Sequence, residues 1–284
     1  MGPLGRALRS PRVLIALGMV AGIIACAVFA GALAPHDPGE QNLLSLLTPP
    51  VWNAGGHPNY PLGTDSLGRD VLSRLIYGAR TAMLVAFFAS FGAMIIGAIL
   101  AHIAGYFGGM TDWIIGRLVD VWMSFPPVIL SLILMVGLGV GLSKVILAIV
   151  LVDWTRFCRV LRSEVLIVTR NDYVAAARLL GFTHWQIIVR EVLPATLPLL
   201  ITLVSLEMAI AVVVEAILSF VGLGVGADQP AWGQMIADAR QNVYQSPWNL
   251  LLPIVAIFLT VAAFNVLGDG LRRTLDVRLT EIGS

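Results

Sequence analysis

The sequence is poor in charge, in lysine and in cysteine, and each shortage narrows the field. Charged residues make up 12% of the 284 positions while 58% are hydrophobic, against about 25% charged and about 45–50% apolar in an ordinary soluble domain. A water-soluble fold of this make-up would leave too much apolar surface exposed. Of the 18 basic side chains only Lys144 is a lysine, and there is no Lys/Arg run of the kind that grips nucleic acid. A phosphate-binding loop needs Gly-x-x-x-x-Gly-Lys-Ser/Thr; Lys144 sits between Ser143 and Val145, so ATP is not expected to be hydrolysed by this chain. Cys26 and Cys158 lie far apart in or beside apolar segments, and His36, His57, His102 and His184 form no ligand spacing. No disulfide framework, metal site or bound cofactor is expected. Intramembrane proteases are disfavoured too: there is no His-Glu-x-x-His, and Ser219 has no histidine in its segment.

What is present is a series of long apolar runs. A membrane span needs about 20 mostly apolar residues. Residues 13–34 qualify, and so do 81–105, 118–140, 195–222 and 248–268. Residues 145–154, extending towards 160, are weaker, because Asp153 and Arg156 arrive early. The run 13–34 is longer than the roughly 7–15 residues of a signal-peptide core, so an uncleaved first span is expected. The expectation is an all-α integral membrane protein of about six transmembrane helices, with both termini cytoplasmic. The positive-inside rule tests that orientation. The loops 106–117 and 156–194, with the two ends of the chain, hold 13 basic residues; the other side holds five, Arg69, Arg74, Arg80, Lys144 and Arg240. The expected organisation is a cytoplasmic tail and first span over 1–34, an extracytoplasmic segment over 35–78, a five-helix core over 79–270 and a cytoplasmic tail over 271–284.

Prolines keep most of 35–60 irregular. Asp65 or Ser66 is then placed to cap an amphipathic helix running to about Tyr77, with Leu67, Val71, Leu72, Leu75 and Ile76 on one face. That pattern suits a helix on the membrane surface. The segment reads either as a connector or as a vestibule meeting a delivering protein.

The loop 163–194 is the most informative stretch. Asn171 or Asp172 is placed to cap a helix whose Tyr173, Ala176, Ala177 and Leu180 fall at i, i+3, i+4 and i+7. Gly181 is placed to end it in the left-handed conformation. Thr183-His184-Trp185-Gln186 reads as a capping box for a second helix, with Trp185, Ile188, Val189 and Val192 on one side and a stop near Pro194. Each helix is too short to cross a bilayer, and its apolar face needs a partner, either the chain's own span ends or a groove in another protein.

Charges inside spans are functional candidates by default. Arg117 and Asp120, three apart, are expected to pair at the end of the third span, and Asp153 with Arg156 similarly. Glu207 and Glu215 have no cation in their own span and share a broad sector of it. Each either lines a pathway or forms a structural bond; for Glu207 the structural role is favoured. Pro126-Pro127 is expected to kink the third span.

Ala175-Ala176-Ala177, Gly181 and Leu193-Pro194 resemble the coupling-loop signature of permease subunits of binding-protein-dependent ABC importers, with Ala175 where the signature has Glu. The resemblance narrows to the second (C-type) permease of the dipeptide, oligopeptide and nickel importers. Pro61-Leu62-Gly63-Thr64-Asp65, Leu67-Gly68-Arg69-Asp70 and Tyr77-Gly78-Ala79-Arg80 look like its outer motif. Ala104-Gly105-Tyr106, Gly108-Gly109, Asp112 and Asp120 follow. Glu215-Ala216, Leu218-Ser219-Phe220, Gly222-Leu223-Gly224, Trp232-Gly233 and Asn265 with Leu267-Gly268-Asp269-Gly270-Leu271-Arg272 match later motifs. The resemblance implies the type I ABC importer permease fold in a bacterial inner membrane. It implies a second homologous permease, two cytoplasmic ABC ATPase subunits that bind ATP and Mg, an extracytoplasmic solute-binding protein and surrounding lipid. It places residues 172–194 in an ATPase groove, with Ala177 and Gly181 sensitive to bulk or charge. Peptides are the implied solute; nickel, opines and glutathione stay open. So does a self-sufficient secondary transporter, although no internal repeat supports one.

Overall fold

The computed structural model describes residues 11–226 and 229–275. Expectations for Arg6, Arg9 and the tail beyond residue 275 lie outside the described residues. Apart from an isolated bridge between Thr64 and Asp70, the described chain is helix and connecting turn. The helices are α1 (Pro11–Val28), the single turn α2 (Ala30–Leu33), α3 (Val71–Phe107), α4 (Gly109–Met123), α5 (Pro127–Leu138), α6 (Leu142–Val168), α7 (Asp172–Leu179), α8 (His184–Ile187), α9 (Leu193–Phe220), α10 (Trp232–Ala239) and α11 (Pro247–Leu275). By length and composition α3, the stretch His184–Phe220 and the α11 stretch Pro247–Arg272 are each able to cross a membrane, and α4 with α5 are apolar enough only when taken together, as a broken span or a re-entrant loop. The apolar part of α1 is shorter, and α6 has the length of a span but carries Lys144, Asp153, Arg156, Arg159, Arg162 and Glu164.

Four expectations change. There is no separate surface helix ending at Tyr77. Asp65 is consumed by a turn, accepting from the backbone N–H of Leu67 at 2.9 Å and of Arg69 at 3.0 Å. Asp70 therefore caps instead, accepting from Ser73 N–H at 2.9 Å, and α3 runs unbroken for 37 residues. At 1.5 Å per residue it is about 55 Å long, well beyond the roughly 30 Å hydrocarbon core. The kink foreseen in the third span is a break: α4 and α5 meet at 86°. Pro126 and Pro127 lack N–H groups, so neither returns a helical bond to the preceding turn.

The helix of the fourth expected span also runs to Val168, beyond the expected limit near 160, and its arginines pair with acids of neighbouring helices: Arg156 with Glu207, Arg159 with Asp120 and Arg162 with Asp112. At the other side of the loop, the second helix does not stop at Pro194. A π-turn over Ile188–Val192 separates α8 from α9, and Leu193 N–H bonds to Ile188 C=O, five residues back. That shift in register lets the chain pass Pro194 without ending the helix.

The bundle is built around α3 packed on α6, with small residues letting the backbones approach. A side chain at Gly97 would run into the Trp154 carbonyl and Phe157, and one at Gly105 into Val165. Helices α9 and α11 form the second close pair, and α9 also packs on α3 and α6. Segment 35–70 lies at one end of the bundle, beside the start of α3; the loop carrying α7 and α8 lies at the other, beside its end.

Candidate functional site

At the loop end, α7 closes as the sequence reading expects of a glycine-terminated helix. Gly181 has φ +81°, its N–H bonds to Arg178 C=O at 3.1 Å, and Phe182 N–H bonds to Ala177 C=O at 3.2 Å. This pair of bonds is the Schellman closure. The capping box is complete: Gln186 N–H donates to Thr183 Oγ1 at 3.3 Å, and Thr183 N–H donates to Gln186 Oε1 at 2.9 Å.

The apolar face divides differently from the sequence grouping. Val174 and Ala177 are buried against the bundle, whereas Tyr173, Ala175, Ala176 and Leu180 are exposed. An eight-residue helix touches its support along one i, i+3 line, so the rest of its apolar surface is left outward. Likewise Ile187, Ile188 and Val192 turn inward while Trp185 stands 72% and Leu180 76% exposed. Leu193 is half-buried and Pro194 exposed. Sequence reasoning missed what anchors this loop. Tyr106, near the end of α3, has its Oη 3.0 Å from His184 Nδ1, and the Arg178 guanidinium lies 5.3 Å from its ring centre. His102, one turn earlier on α3, has Nε2 3.2 Å from Thr196 Oγ1 on α9.

Deeper in the bundle, Glu207 is paired after all. Its cation comes from a different helix: Arg156 Nη1 on α6 lies 3.4 Å from Glu207 Oε2, and Arg156 Nη2 lies 3.7 Å from Asp153 Oδ1. A cation contributed across helices leaves no local spacing to find in the sequence. Glu215 is 1% exposed and accepts from Ser219 Oγ at 2.6 Å, one turn on in α9. A cavity of about 330 Å³ opens beside Asp153, Arg156 and Asn265, lined otherwise by apolar side chains of α5, α9 and α11.

A second cavity, of about 450 Å³, lies between α4 and α6 and is lined by Asp112, Arg117, Asp120, Arg159 and Arg162. Arg117 Nη1 is 3.6 Å from Asp120 Oδ2, and Arg159 Nη2 donates to Asp120 Oδ1 at 3.0 Å. Arg162 grips Asp112 with both Nε and Nη2. The three arginines of this face are thus bound to two aspartates.

The opposite end holds the Gly63–Asp70 motif as a knot. Gly63 (φ +83°) and Gly68 (φ +72°) press on the backbones of Thr48 and Asn42, where a Cβ has no room. Thr64 Oγ1 accepts from Thr48 N–H at 2.9 Å and donates to Ser45 C=O, while its carbonyl accepts from Asn249 Nδ2 at 2.9 Å. Arg69 donates from Nε to Asp65 Oδ2 at 2.6 Å and from Nη2 to Asp238 Oδ2 at 3.0 Å. Trp232, opening α10, donates from Nε1 to Leu75 C=O at 3.0 Å and lies where a Gly78 side chain would be.

Residues 93–281 match the family described as the binding-protein-dependent transport system inner membrane component, and residues 4–50 match the N-terminal TM domain of oligopeptide transport permease C. A di/tripeptide transport system permease protein of Pseudomonas aeruginosa is 39% identical over 257 residues, 90% of this chain and 85% of that protein. A dipeptide transport system permease protein of Escherichia coli K12 is 39% identical over 273 residues, covering 96% and 91%. A glutathione transport system permease protein of Pectobacterium atrosepticum is 35% identical over 257 residues, covering 90% and 84%. Among solved structures, the MetNI methionine ABC transporter in an inward facing conformation aligns with TM-score 0.57 over 72% of this chain and 97% of that one, at 20% identity, a likeness of fold.

Proposed function

The chain belongs to the family of binding-protein-dependent transport system inner membrane components, as a multi-pass permease subunit of a bacterial ABC importer, and on that footing we propose that it forms half of a peptide pathway driven through the loop 172–194. The other half is a second, homologous permease. Two ATPase subunits, which hold ATP and Mg, dock on the loop from the cytoplasm, and a solute-binding protein delivers at the end that carries segment 35–70. Both termini are then cytoplasmic. The relatives named for dipeptide and di/tripeptide transport support small peptides as the solute; the one named for glutathione fits the same class.

The observation that carries this reading is the outward apolar row Tyr173, Ala176, Leu180 and Trp185 on two short helices locked by the Gly181 turn. An exposed, preordered helical face of this kind suits a groove in a partner. Gly181 has open space around it, so a side chain there acts only through φ +81°. The left-handed conformation costs an L-residue about 1–2 kcal/mol, and a β-branched residue tolerates it least. Gly181→Val is expected to lower recovery of the ATPase subunits with the permeases and to reduce peptide uptake in proteoliposomes. Unchanged assembly together with unchanged uptake rejects the coupling role.

A further inference from the structure

Three guanidiniums and two carboxylates line the cavity of about 450 Å³ between α4 and α6, and no other charged side chain among the described residues does. Both aspartates are already committed. Asp112 is held at its two oxygens by the two-pronged grip of Arg162. Asp120 is shared: Arg159 of α6 donates to its Oδ1 at 3.0 Å, and Arg117 of α4 stands 3.6 Å from its Oδ2, beyond hydrogen-bond reach. Arginine stays charged at any pH a cell meets, so one positive charge is left over. Two like charges are thus set against one carboxylate, an arrangement that a further anion relieves.

The setting is one that water reaches. Charged side chains at membrane depth face a bundle interior or a water-filled cavity rather than lipid. The break that follows α4 has exposed, irregular backbone at Ser124, Phe125 and Pro126. Such backbone is tolerated at membrane depth only against protein or water, and discontinuous helices of this kind build solute sites in transporters. Trp122, in the last turn of α4, donates from Nε1 to Leu151 C=O at 2.6 Å and pins this part of α4 to α6. The cavity lies between the break and the loop end, and its volume is within the roughly 300–1,000 Å³ of small-molecule sites.

We infer that this cavity is an exit station of the pathway, where the C-terminal carboxylate of a small peptide is taken by Arg117 together with Arg159. The inference rests on the permease reading and adds to it the end of the solute that is recognised next to the cytoplasm. A guanidinium fork matches a carboxylate bidentately, and that of Arg117 makes no hydrogen bond within the described residues. The amino end of the solute has no such partner here, because both aspartates are taken. Arg117 and Arg159 keep 65% and 54% of their side chains exposed, so the carboxylate is held loosely, as release into the cytoplasm requires.

The complete importer, with both permeases and its ATPase subunits, is reconstituted in phosphatidylcholine nanodiscs without nucleotide or solute-binding protein. It is titrated with alanyl-alanine, N-acetyl-alanyl-alanine and alanyl-alanine amide. The first two are expected to bind alike and the amide at least about tenfold more weakly, the loss of a charge-assisted contact. Arg117→Gln evens the charge count and leaves Arg159 on Asp120, and it is expected to bring the first two down to the level of the third. Where that variant fails to assemble, Gly116→Leu, which fills the cavity from a position with open space around it, gives an independent arm with the same expected weakening. Arg170→Gln, at an exposed arginine outside the cavity lining, is expected to change nothing. Equal binding of the amide and the free acid, binding unmoved by Arg117→Gln and Gly116→Leu, an equal loss in Arg170→Gln, or no binding to the unaltered complex overturns the site. So does loss of peptide binding when phosphatidylglycerol replaces phosphatidylcholine, since the cavity then belongs to an anionic lipid headgroup. Receptor-stimulated uptake by the unaltered complex is measured in parallel. Uptake without selective carboxylate binding rejects this site and leaves the permease reading standing, whereas absence of uptake counts against the reading itself.

Discussion

Arg69 reaches Asp238 at 3.0 Å across 169 residues of chain, and this contact ties the start of α3 to α10. Arg74, in the first turn of α3, points at the two acids that hold Arg69, 3.7 Å from Asp65 and 3.9 Å from Asp238. Both arginines are almost fully buried, while Asp238 keeps 35% of its side chain exposed.

Removing Asp238 therefore leaves two buried guanidiniums facing one carboxylate. Breaking a fully buried pair costs about 3–5 kcal/mol; discounted for the partial exposure of Asp238, Asp238→Ala is expected to cost about 1–3 kcal/mol. The readout is the thermal unfolding midpoint of the detergent-solubilised protein. The double variant Arg69→Met, Asp238→Leu is expected to lose less than the sum of the two single changes, because no charge is orphaned between them. Additive losses would show that Arg69 and Asp238 do not act as a pair.

A second expectation separates two glycines that look alike in the sequence. Gly97 lies where α3 meets the Trp154 carbonyl and Phe157 of α6; Gly116 on α4 has nothing within 4 Å of where a side chain would begin. Gly97→Leu forces the two longest-packed helices apart, an overpacking change of about 1–3 kcal/mol or more. Gly116→Leu is expected to be neutral or to stabilise by up to about 1 kcal/mol, since a glycine inside a helix is replaced where its half-buried backbone faces a cavity. Yield of monodisperse protein and unfolding midpoint report both. Equal losses at the two positions would mean that the close approach of α3 and α6 does not set the stability of the bundle.

Local chemistry was legible in the sequence where it acts over a few residues. Gly181 closing α7 and the Thr183–Gln186 capping box are decided by backbone geometry within one turn, and both stand as read. The apolar runs were legible for the same reason, since hydropathy needs no knowledge of neighbours. What was hidden depends on contacts between distant segments. Asp65 looks like a helix cap until Arg69 and the turn at Gly68 claim it. Ala177 looks like part of one face with Tyr173, Ala176 and Leu180 until Val174 shows which line of α7 touches the bundle. Arg156 looks like the premature end of a span until Glu207, on another helix, accounts for its place within the bundle. A proline normally ends a helix, and the π-turn before Pro194 is an exception that no residue pattern announced.

The last expectation concerns how the loop is held to the long helix beneath it. Tyr106 makes two separable contacts: its hydroxyl lies 3.0 Å from His184 Nδ1, and its ring lies under the Arg178 guanidinium at 5.3 Å. His184 opens α8 and Arg178 lies in the last turn of α7, so a single side chain on α3 touches both loop helices. Tyr106→Phe removes the hydrogen bond and keeps the ring, a loss of about 0.5–1.5 kcal/mol. Tyr106→Ala also removes the cation–π contact, worth about 0.5–1 kcal/mol at a site of this kind. In hydrogen exchange on the membrane-embedded protein, the amides of α7 and α8 are expected to exchange a few-fold faster in Tyr106→Phe and faster again in Tyr106→Ala. The amides in the middle of α3 and α6 are expected to keep their protection, because the packing around Gly97 does not involve this residue. A loop that exchanges at its original rate in both variants is held by its buried apolar side chains, Val174, Ala177 and Ile187 among them, and Tyr106 then carries no part of its attachment to α3.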